Sequence, residues 1–340
     1  MKKITSGAAE QMASDPQIDP TSSPHQPAVR AGYPRTGIIS NSRSHRNRTR
    51  GTESVTAPAD TADLFYRGPR TLPALAQTLR EFRDAGIELL VVDGGDGTVR
   101  DVLTCAHGIF AGKLPRIAVV PSGKTNALAL DLGLPADWSV QDALEASVHG
   151  RTAARSPVEI LRGDAVQPEL CGFLFGAGAF VRATELAQRT HTAGAFNSFA
   201  VGLSLFWGIA QTLFGGHAND WRAGAPMRLQ LDDATPAERN FYILFSSTLE
   251  RLPLKLKPFG PVRAGLKVLA VDAPPKHLAR AVPALLRGSQ AAWLETAGYR
   301  RHDVGAFTLT LDGGFILDGE LYEGGTLTVR QGTPLQFVTP

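Results

Sequence analysis

The chain has 340 residues, of which 43% are apolar and 20% charged, and this composition is that of an ordinary globular protein. The length suggests about two domains. The formal net charge of +3 is too small to indicate a nucleic-acid partner, so none is expected. Two cysteines, Cys105 and Cys171, each stand beside an apolar run, which predicts free thiols in a reducing compartment such as the cytoplasm.

The first part of the chain has little regular pattern. Residues 1–34 are rich in Pro, Ser, Ala and Gln and are predicted to form a disordered tail without a signal peptide. A short strand, Thr36–Ser40, is followed by a loop with four arginines. Composition alone favours a solvated basic loop. Its place after a strand favours a phosphate-binding loop that offers Asn41, Arg43 and Arg46.

The stretch from residue 87 to residue 104 predicts a strand, a glycine-rich turn and the start of a helix. Ile87–Val92 is an apolar run of strand length, and apolar residues recur at helical spacing from Val99 onward. Between them, Asp93–Thr98 carries three glycines around Asp96. Such a turn presents free backbone N–H groups and a helix dipole to a phosphate. Because an acid beside a phosphate needs a mediating cation, Asp96 indicates a Mg²⁺-nucleotide site.

A second unit of the same kind follows. Arg116–Val120 is predicted as a strand, residues 121–126 (PSGKTN) as a turn and Ala127–Leu132 as a helix. The Gly-Lys-Thr sequence in this turn resembles the end of a P-loop. That motif requires a glycine where Ala118 stands, and a longer loop, so the P-loop interpretation is rejected.

The order of these elements predicts the fold class α/β + β. Strands and helices alternate up to about residue 150, which indicates an N-terminal doubly wound, Rossmann-like α/β domain over residues 35–152. Strands then follow one another with few helices, which indicates a β-sandwich or open barrel over residues 153–340. The strands predicted there are Ser156–Leu161, Glu169–Phe175, Met227–Leu231, Asn240–Ser246, Leu266–Val271, Ala306–Leu311, Phe315–Leu317, Thr326–Val329 and Gln336–Val338.

Two further stretches have an apolar character. Thr192–Gly216 has no formal charge and is interpreted as a helix packed on the sandwich, as a wall of an acyl-chain pocket or as a membrane-touching face; a membrane span is disfavoured. Lys255 and Lys257 alternate with Leu254 and Leu256, which is typical of a half-exposed strand or of a contact with anionic lipid.

Three motifs together resemble the catalytic domain of diacylglycerol kinases and their relatives, the bacterial lipid kinases and the sphingosine and ceramide kinases. The first is Gly-Gly-Asp-Gly-Thr at residues 94–98, the second is Pro-x-Gly-x-x-Asn at residues 121–126, and the third is Asp-Gly-Glu at residues 318–320. Asn41 matches the family's first loop in part. The resemblance runs from about residue 36 to the end of the sequence.

The resemblance implies a two-domain kinase that uses ATP and Mg²⁺, with the nucleotide between the domains and the lipid on the sandwich side. It implies that Asp318 is the general base for the lipid hydroxyl, and that Asp96 and Glu320 belong to a catalytic metal and water network. The residues implied to bind the nucleotide are Asn41, Gly94, Gly95, Asp96, Gly97, Thr98, Gly123, Lys124, Thr125 and Asn126. From the residues alone, Asp318–Glu320 would be interpreted as an exposed β-turn.

The sequence departs from the family pattern at several positions. Lys124 stands where Thr or Ser is usual and adds a cation that could meet a phosphate. The segment Asn126–Ala129 is closer to sphingosine and ceramide kinases than to bacterial diacylglycerol kinases. Ala264–Gly265 replaces an Asp-Gly that holds a structural Mg²⁺ in many bacterial members, and the acid expected near Gly178 is missing.

The function predicted from the sequence is an ATP-dependent lipid kinase that phosphorylates a hydroxyl of a neutral lipid. Diacylglycerol is the first candidate, with a sphingoid base or ceramide close behind. The alternatives are an NAD kinase-like enzyme and a non-catalytic nucleotide- or lipid-binding protein on the same fold. The expected partners are the lipid and, transiently, the membrane surface; a homodimer is left open. The expected location is cytoplasmic, peripheral to the membrane, in phospholipid biosynthesis.

Overall fold

The computed structural model describes residues 32–42, 44, 46–47, 63–182 and 222–340. Most of the predicted tail, Arg43 and the Thr192–Gly216 stretch therefore lie outside the described residues. The strands are β1 (Thr36–Ser40), β2 (Leu64–Arg67), β3 (Leu89–Gly94), β4 (Arg116–Pro121), β5 (Arg151–Arg155), β6 (Val158–Arg162), β7 (Leu170–Gly172), β8 (Leu174–Gly178), β9 (Ala225–Leu231), β10 (Ala237–Ser247), β11 (Leu266–Asp272), β12 (Tyr299–Val304), β13 (Ala306–Leu311), β14 (Phe315–Leu317), β15 (Glu320–Tyr322), β16 (Gly325–Gln331) and β17 (Leu335–Thr339). The helices are α1 (Leu72–Asp84), α2 (Asp96–Ile109), α3 (Ala127–Leu132), α4 (Val140–His149), α5 (Leu278–Leu286) and α6 (Ala292–Thr296).

The first sheet has the order β2-β1-β3-β4-β17-β5. The strands β2, β1, β3 and β4 are parallel, and their apolar runs are buried because helices cover the sheet. Local sequence fixes the helix ends: the Thr71 hydroxyl caps α1, and Ser139 with Asp142 forms a capping box on α4. The predicted α/β domain is confirmed, and Ala118, the residue that excludes a P-loop, lies inside β4.

The second sheet has eleven strands and is antiparallel throughout. The long strand β10 pairs with β9 along its first half and with β8 along its second half, while β11 pairs with its other edge, so one continuous sheet curls on itself. Its inner face encloses an aromatic core in which Phe175 contacts Phe307 and Phe315. The other face is covered by α5 and α6. The predicted β-rich second domain therefore exists as a curled antiparallel sheet.

One predicted strand belongs to a different sheet from the one expected. The prediction assigns Gln336–Val338 to the second domain, but β17 lies in the first sheet, parallel to β4 and antiparallel to β5. The limit at residue 152 also falls inside β5. The reason is that a strand of only five residues carries no local information on which sheet it will join. The chain therefore enters the second sheet and then returns to complete the first.

Helix α2, which starts at the first glycine turn, lies between the two sheets. It buries Val99, Val102 and Leu103 on the first domain and packs against β7 of the second. The Thr104 hydroxyl oxygen accepts the amide hydrogen of Cys171 at 3.0 Å across this boundary. The two cysteines are free thiols, as predicted. Within the described ranges, every helix is too short or too polar to cross a lipid bilayer.

Candidate active site

The carboxylate of Asp93 ties together the loops that follow three parallel strands. Its Oδ2 accepts hydrogen bonds from the hydroxyl of Ser40, the last residue of β1 (2.8 Å), and from the Asn47 side-chain amide in the loop that follows (3.1 Å). Its Oδ1 accepts from the Ser122 hydroxyl after β4 (2.5 Å). Asp93 is buried, so these bonds satisfy a charge that would otherwise be costly. The three loops are thereby held at one edge of the sheet, where ligands of α/β sheets bind.

The two glycine-rich turns touch each other backbone to backbone. A Cβ built on Gly123 would lie 2.4 Å from the Gly95 Cα, so neither position has room for a side chain. Gly94 is equally constrained, because its Cβ would lie 2.5 Å from the Thr98 Cβ. Gly97 differs, because the atom nearest to a Cβ built on it would be 3.8 Å away. The first turn of α2 therefore leaves open space there. A phosphate can approach the backbone amides of α2 on this side.

Two asparagines fix the geometry of these turns. Asn126 adopts the left-handed conformation (φ 51°) just before α3, and its side chain both accepts from the Gly123 amide (2.9 Å) and donates to the Gly123 carbonyl (3.0 Å). Asn41 donates to the Thr98 hydroxyl at 2.9 Å. The structure thus brings Asn41, Thr98, Gly123 and Asn126 together, and their nucleotide-binding roles stay predictions. Arg46 donates to the carbonyl oxygens of Trp138 and Asp137, and its role as a phosphate ligand stays a prediction.

Asp96 lies at the N-terminus of α3 as well as in the first turn of α2. Its Oδ1 faces the Leu128 amide at 3.5 Å. Burial raises the pKa of the Asp96 carboxyl, and hydrogen bonds from the amides of Ala127, Leu128 and Asn126 act in the opposite direction. The acid therefore connects the first glycine turn with the helix that follows the second.

Asp318 and Gly319 form the two-residue turn of the hairpin β14–β15, with φ values of 47° and 84°. Positive φ at both positions defines the type I′ turn that Asp-Gly favours, so the β-turn interpretation is right for the backbone. The side chain, however, is half-buried and points inward: its Oδ1 accepts from the amides of Leu174 (2.9 Å) and Phe173 (3.1 Å). A Cβ on Gly172 would lie 2.5 Å from Oδ2, so that glycine leaves room for the carboxylate.

The electrostatics of Asp318 are those of a base that works near neutral pH. Burial, and next the charge of Asp96, raise the pKa of Asp318 to about 7, against the hydrogen bonds from Leu174 and Phe173 and the charge of Arg100. The two carboxyl groups come from different domains, and the charge of Asp96 favours the protonated form of Asp318. A carboxylate with a pKa near 7 is suited to proton transfer at physiological pH.

Arg100 of α2 links the first glycine turn to this hairpin. Its side chain is only 8% exposed, donates to the Leu317 carbonyl at 3.4 Å and lies with its guanidinium carbon 5.8 Å from the centre of the Tyr322 ring. Asp101 accepts two of its hydrogen bonds. A buried guanidinium therefore stands beside Asp318 and holds the strand that leads into it.

Glu320 is placed less favourably than Asp96 for its predicted role in a metal and water network. It follows the hairpin turn, and its side chain is exposed. Over the described part of the chain, no group of three or more His, Cys, Asp or Glu side chains is arranged to hold a metal ion. Asp96 alone is still suitable for Mg²⁺, since this ion commonly takes one or two protein carboxylates together with phosphates and waters. The metal roles of Asp96 and Glu320 stay predictions.

At Ala264–Gly265, where many family members have an Asp-Gly that holds Mg²⁺, the nearby Lys267 supplies a positive charge. This lysine is buried, and its ammonium donates to the carbonyl oxygens of Gly265 (2.9 Å) and Arg263 (3.1 Å). Burial, and next the charge of Arg263, lower the pKa of Lys267 to about 8. A protein-borne cation satisfies these carbonyl oxygens, so the segment needs no metal ion for that purpose.

A large apolar cavity opens beside the second glycine turn. Its volume is about 460 Å³, and Lys124 and Thr125 line it together with side chains from β10, β11 and α5. Phe180 stacks on Phe245 (ring centres 5.7 Å apart) at its wall. Further lining residues are Leu174, Leu269, Val271, Val282, Leu285 and Leu286. Lys124 and Thr125, predicted as nucleotide ligands, therefore also border an apolar space.

Sequence reasoning missed several residues of this site. Asp93, Arg100 and Gly172 carry no predicted role, although each makes a defined contact there. The sequence did contain an indication of a role for Asp93, because this acid lies at the end of an otherwise apolar strand. Arg100 and Gly172 had none, because their partners lie more than a hundred residues away along the chain.

Comparison with known proteins agrees with these features. A model of the diacylglycerol kinase catalytic domain matches residues 39–160. A "probable lipid kinase YegS-like" protein of Enterobacter sp. (strain 638) is 28% identical over 125 residues, which are 36% of this chain and 41% of that protein. A protein of the same name from Cronobacter sakazakii is 29% identical over 85 residues, 25% of this chain and 27% of that protein. The chain thus matches less than half the length of these relatives.

Solved structures extend the likeness to both domains. A diacylglycerol kinase structure from Bacillus anthracis str. Sterne superposes with a TM-score of 0.59 at 13% identity, covering 92% of this chain and 98% of that one. A second structure from that organism gives a TM-score of 0.64 at 13% identity with the same coverage. At this identity the likeness concerns the fold alone. The resemblance carried by the two glycine turns is confirmed: residues 39–160 match the diacylglycerol kinase catalytic domain, within a chain that has the two-domain fold of these solved structures.

Proposed function

We propose that this protein is an ATP-dependent kinase that transfers the γ-phosphate to a hydroxyl group of a neutral lipid. The observation that carries the proposal is the apolar cavity of about 460 Å³, whose mouth is bordered by Lys124 and Thr125 of the second glycine turn. An acyl chain is the ligand that such a lining suits, since burial of its methylene groups is favourable and it needs no hydrogen-bond partners. A dinucleotide such as NAD would need polar partners there.

The nucleotide side of the proposal rests on the two glycine turns. Gly95 and Gly123 bring the turns into contact, and Gly97 leaves the amides at the start of α2 open to phosphate oxygens. Asn41 and Thr98 support the same edge. When bound, Mg²⁺ would neutralise charge on the phosphates, and Asp96, with Glu320 as its predicted partner, would hold it. Lys124 would add a positive charge at the mouth of the cavity.

Asp318 is assigned as the general base. Its carboxylate would accept the proton of the lipid hydroxyl while the hydroxyl oxygen forms a bond to the γ-phosphorus and the bond to the bridging oxygen of ADP breaks. The amides of Phe173 and Leu174 hold one face of the carboxylate, which orients the remaining lone pairs. Its pKa of about 7 keeps a large fraction ionised at neutral pH without making it too weak a base.

Diacylglycerol is the first candidate substrate, because the matched domain and the solved neighbours carry that name. A sphingoid base or ceramide remains the second candidate on the Asn126–Ala129 sequence. The predicted cytoplasmic location at the membrane surface, and a place in phospholipid biosynthesis, go with a lipid substrate and are part of the proposal. A homodimer stays a prediction without support from any described contact.

The test is transfer of radiolabelled phosphate from ATP to a panel of diacylglycerol, ceramide, sphinganine and NAD. We expect a labelled product with at least one lipid, dependent on Mg²⁺, and none with NAD. The Asp318→Asn variant, expected to bind ATP normally, is the control for contaminating kinase. Label on NAD and on no lipid would refute the proposal. ATP binding without transfer to any acceptor would instead favour a non-catalytic sensor.

A further inference from the structure

A short turn at the mouth of the apolar cavity exposes a leucine to water. Residues 251–257 (RLPLKLK) wrap the cavity, and Pro253–Lys255 form a single turn of 3-10 helix. Leu254 has φ 57° and Lys255 has φ 56°, a region that side-chain-bearing residues rarely adopt. Leu254 lines the cavity, yet it is 65% exposed. We call residues 251–257 the docking turn.

A second leucine at the same mouth extends this apolar surface. Leu130 of α3 lines the cavity and is 49% exposed, and α3 contacts the 3-10 turn directly. The outer apolar side chains of the mouth therefore come from both domains. The exposed apolar area is continuous with the interior of the cavity, which distinguishes it from the isolated exposed apolar residues found on any protein surface.

The docking turn is held in place by buried contacts. The Arg251 amide donates to the Asp131 carboxylate at 2.6 Å, and Arg155 pairs with the other oxygen of Asp131, also at 2.6 Å. At the other end, the Lys257 amide donates to the Leu286 carbonyl of α5 at 2.9 Å. The exposure of Leu254 is therefore a property of a well-anchored turn.

The charge around the turn has one sign. From Arg251 to Lys257 the sequence holds three basic residues and no acid. Arg251, Lys255 and Lys257 are exposed. The adjacent acid, Glu250, pairs with Arg155 at 3.3 Å. An apolar tip with basic residues on both sides matches an anionic lipid surface, where the leucine enters the hydrocarbon boundary and the lysines meet the headgroups.

We infer that the docking turn binds the surface of an anionic phospholipid bilayer, with Leu254 and Leu130 inserted between the headgroups and the cavity mouth facing the membrane. The inference rests on the proposed lipid kinase function, since it gives the substrate a path from the bilayer into the cavity without crossing water. A second copy of the chain is the competing occupant of this surface.

The test is co-sedimentation of the full chain with vesicles, in the absence of nucleotide and substrate. Vesicles of phosphatidylcholine alone are compared with vesicles that contain phosphatidylglycerol, over a range of salt concentrations. We expect binding to the anionic vesicles that weakens as salt rises. Lys255→Gln and Lys257→Gln should each reduce the partition coefficient roughly fivefold. Leu254→Asn, which tolerates positive φ, should reduce it roughly tenfold.

Matched controls lie on other surfaces. Val166 is 81% exposed in the loop after β6, and Lys113 is exposed in the loop before β4, so Val166→Asn and Lys113→Gln should sediment like the wild type. Thermal melts check that each variant is folded. Wild-type binding by the folded Leu254 and lysine variants would overturn the inference, as would equal losses in the controls. A Leu254-dependent dimer in size-exclusion chromatography, with no vesicle binding, would also overturn it and assign the turn to a second copy. None of these outcomes depends on kinase activity.

Discussion

The surroundings of the Asp318 carboxyl are unfavourable for its charged form, which is typical of residues that are kept for a function. It lies at positive φ, its carboxyl is half-buried, and a second carboxyl, Asp96, raises its pKa further. Desolvated like charges tend to be retained at functional sites at some expense of stability. The cost in the free energy of unfolding can be measured separately from the proposed role of Asp318 as a base.

Asp318→Asn should keep ATP affinity close to the wild-type value and lower turnover roughly a hundredfold or more, since the amide cannot accept the proton. Titration of nucleotide binding by calorimetry, beside steady-state kinetics with the best lipid acceptor, checks both parts. Turnover like that of the wild type would remove Asp318 from the role of base.

The same variant should be more stable than the wild type at alkaline pH. The pKa of Asp318 is raised from 3.8 to about 7, so the folded state binds this proton more tightly than the unfolded state, and the wild type loses stability as the pH rises through this range. Asparagine carries no such charge. We expect a gain of about 1 to 2 kcal/mol at pH 8 that disappears below pH 4. Denaturant unfolding at several pH values tests this; a gain that is independent of pH would mean that asparagine simply suits the left-handed turn position better than aspartate.

Arg100→Met should move the acidic limb of the pH–rate profile to higher pH, because the Arg100 charge favours ionised Asp318. At pH 7 turnover should fall roughly threefold or more. Arg162→Met is the matched control: Arg162 anchors the same region through the Glu323 and Gly324 carbonyls, with its guanidinium over Phe315. If both variants shift the limb equally, loosening of the hairpin, and not charge, explains the effect.

At the scale of the element, the two glycine turns act as one unit. Gly123 meets Gly95, and Asn126 closes the second turn on itself. Gly97 stands in the same motif but has free space around it. The motif therefore contains glycines of two kinds, some needed for packing and one for the approach of a ligand.

Gly123→Ala and Gly97→Ala should separate these kinds. The first forces a Cβ against the Gly95 Cα and should destabilise the protein by about 1 to 3 kcal/mol. The second should leave the melting temperature within a degree or two, while ATP affinity falls because the methyl group occupies the space for a phosphate. Thermal melts and nucleotide titration read out the two effects. Normal ATP affinity in Gly97→Ala would place the phosphates elsewhere.

The sequence was sufficient for the elements around these turns because the information there is local. An apolar run, glycines and a helical spacing lie within twenty residues of each other, so β3, β4, α2 and α3 could be predicted. The strand β12 (YRRHDV) was missed, since its charged residues hide the pattern of a strand. The cavity could not be predicted, because its walls come from segments far apart along the chain.

At the scale of the whole molecule, the two domains share a core. Phe337 of β17 is fully buried in the first domain and meets Phe173 edge-on, with ring centres 6.3 Å apart. Phe173 is also the residue whose amide holds the Asp318 carboxylate. The first sheet and the hairpin β14–β15 are therefore connected through one pair of rings.

Phe337→Ala should destabilise the protein by about 3 to 5 kcal/mol, the usual cost of truncating a buried phenylalanine. We expect a single cooperative transition at a lower denaturant concentration, with both domains affected. Gln336→Ala, exposed on the same strand, should be close to neutral. Hydrogen exchange resolved by peptide shows which elements respond: protection lost in the first sheet alone, with β14 and β15 unchanged, would contradict the connection.

The place of β17 also bears on the order in which the protein can be made. Its partner β4 ends at Pro121, and the ribosome must synthesise the whole second sheet before Leu335–Thr339 is available. Until then the edge of β4 remains unpaired beside the two glycine turns. A nascent chain therefore cannot finish its first domain before its second, and a prematurely terminated chain would carry an incomplete first sheet whose open edge favours aggregation or proteolysis.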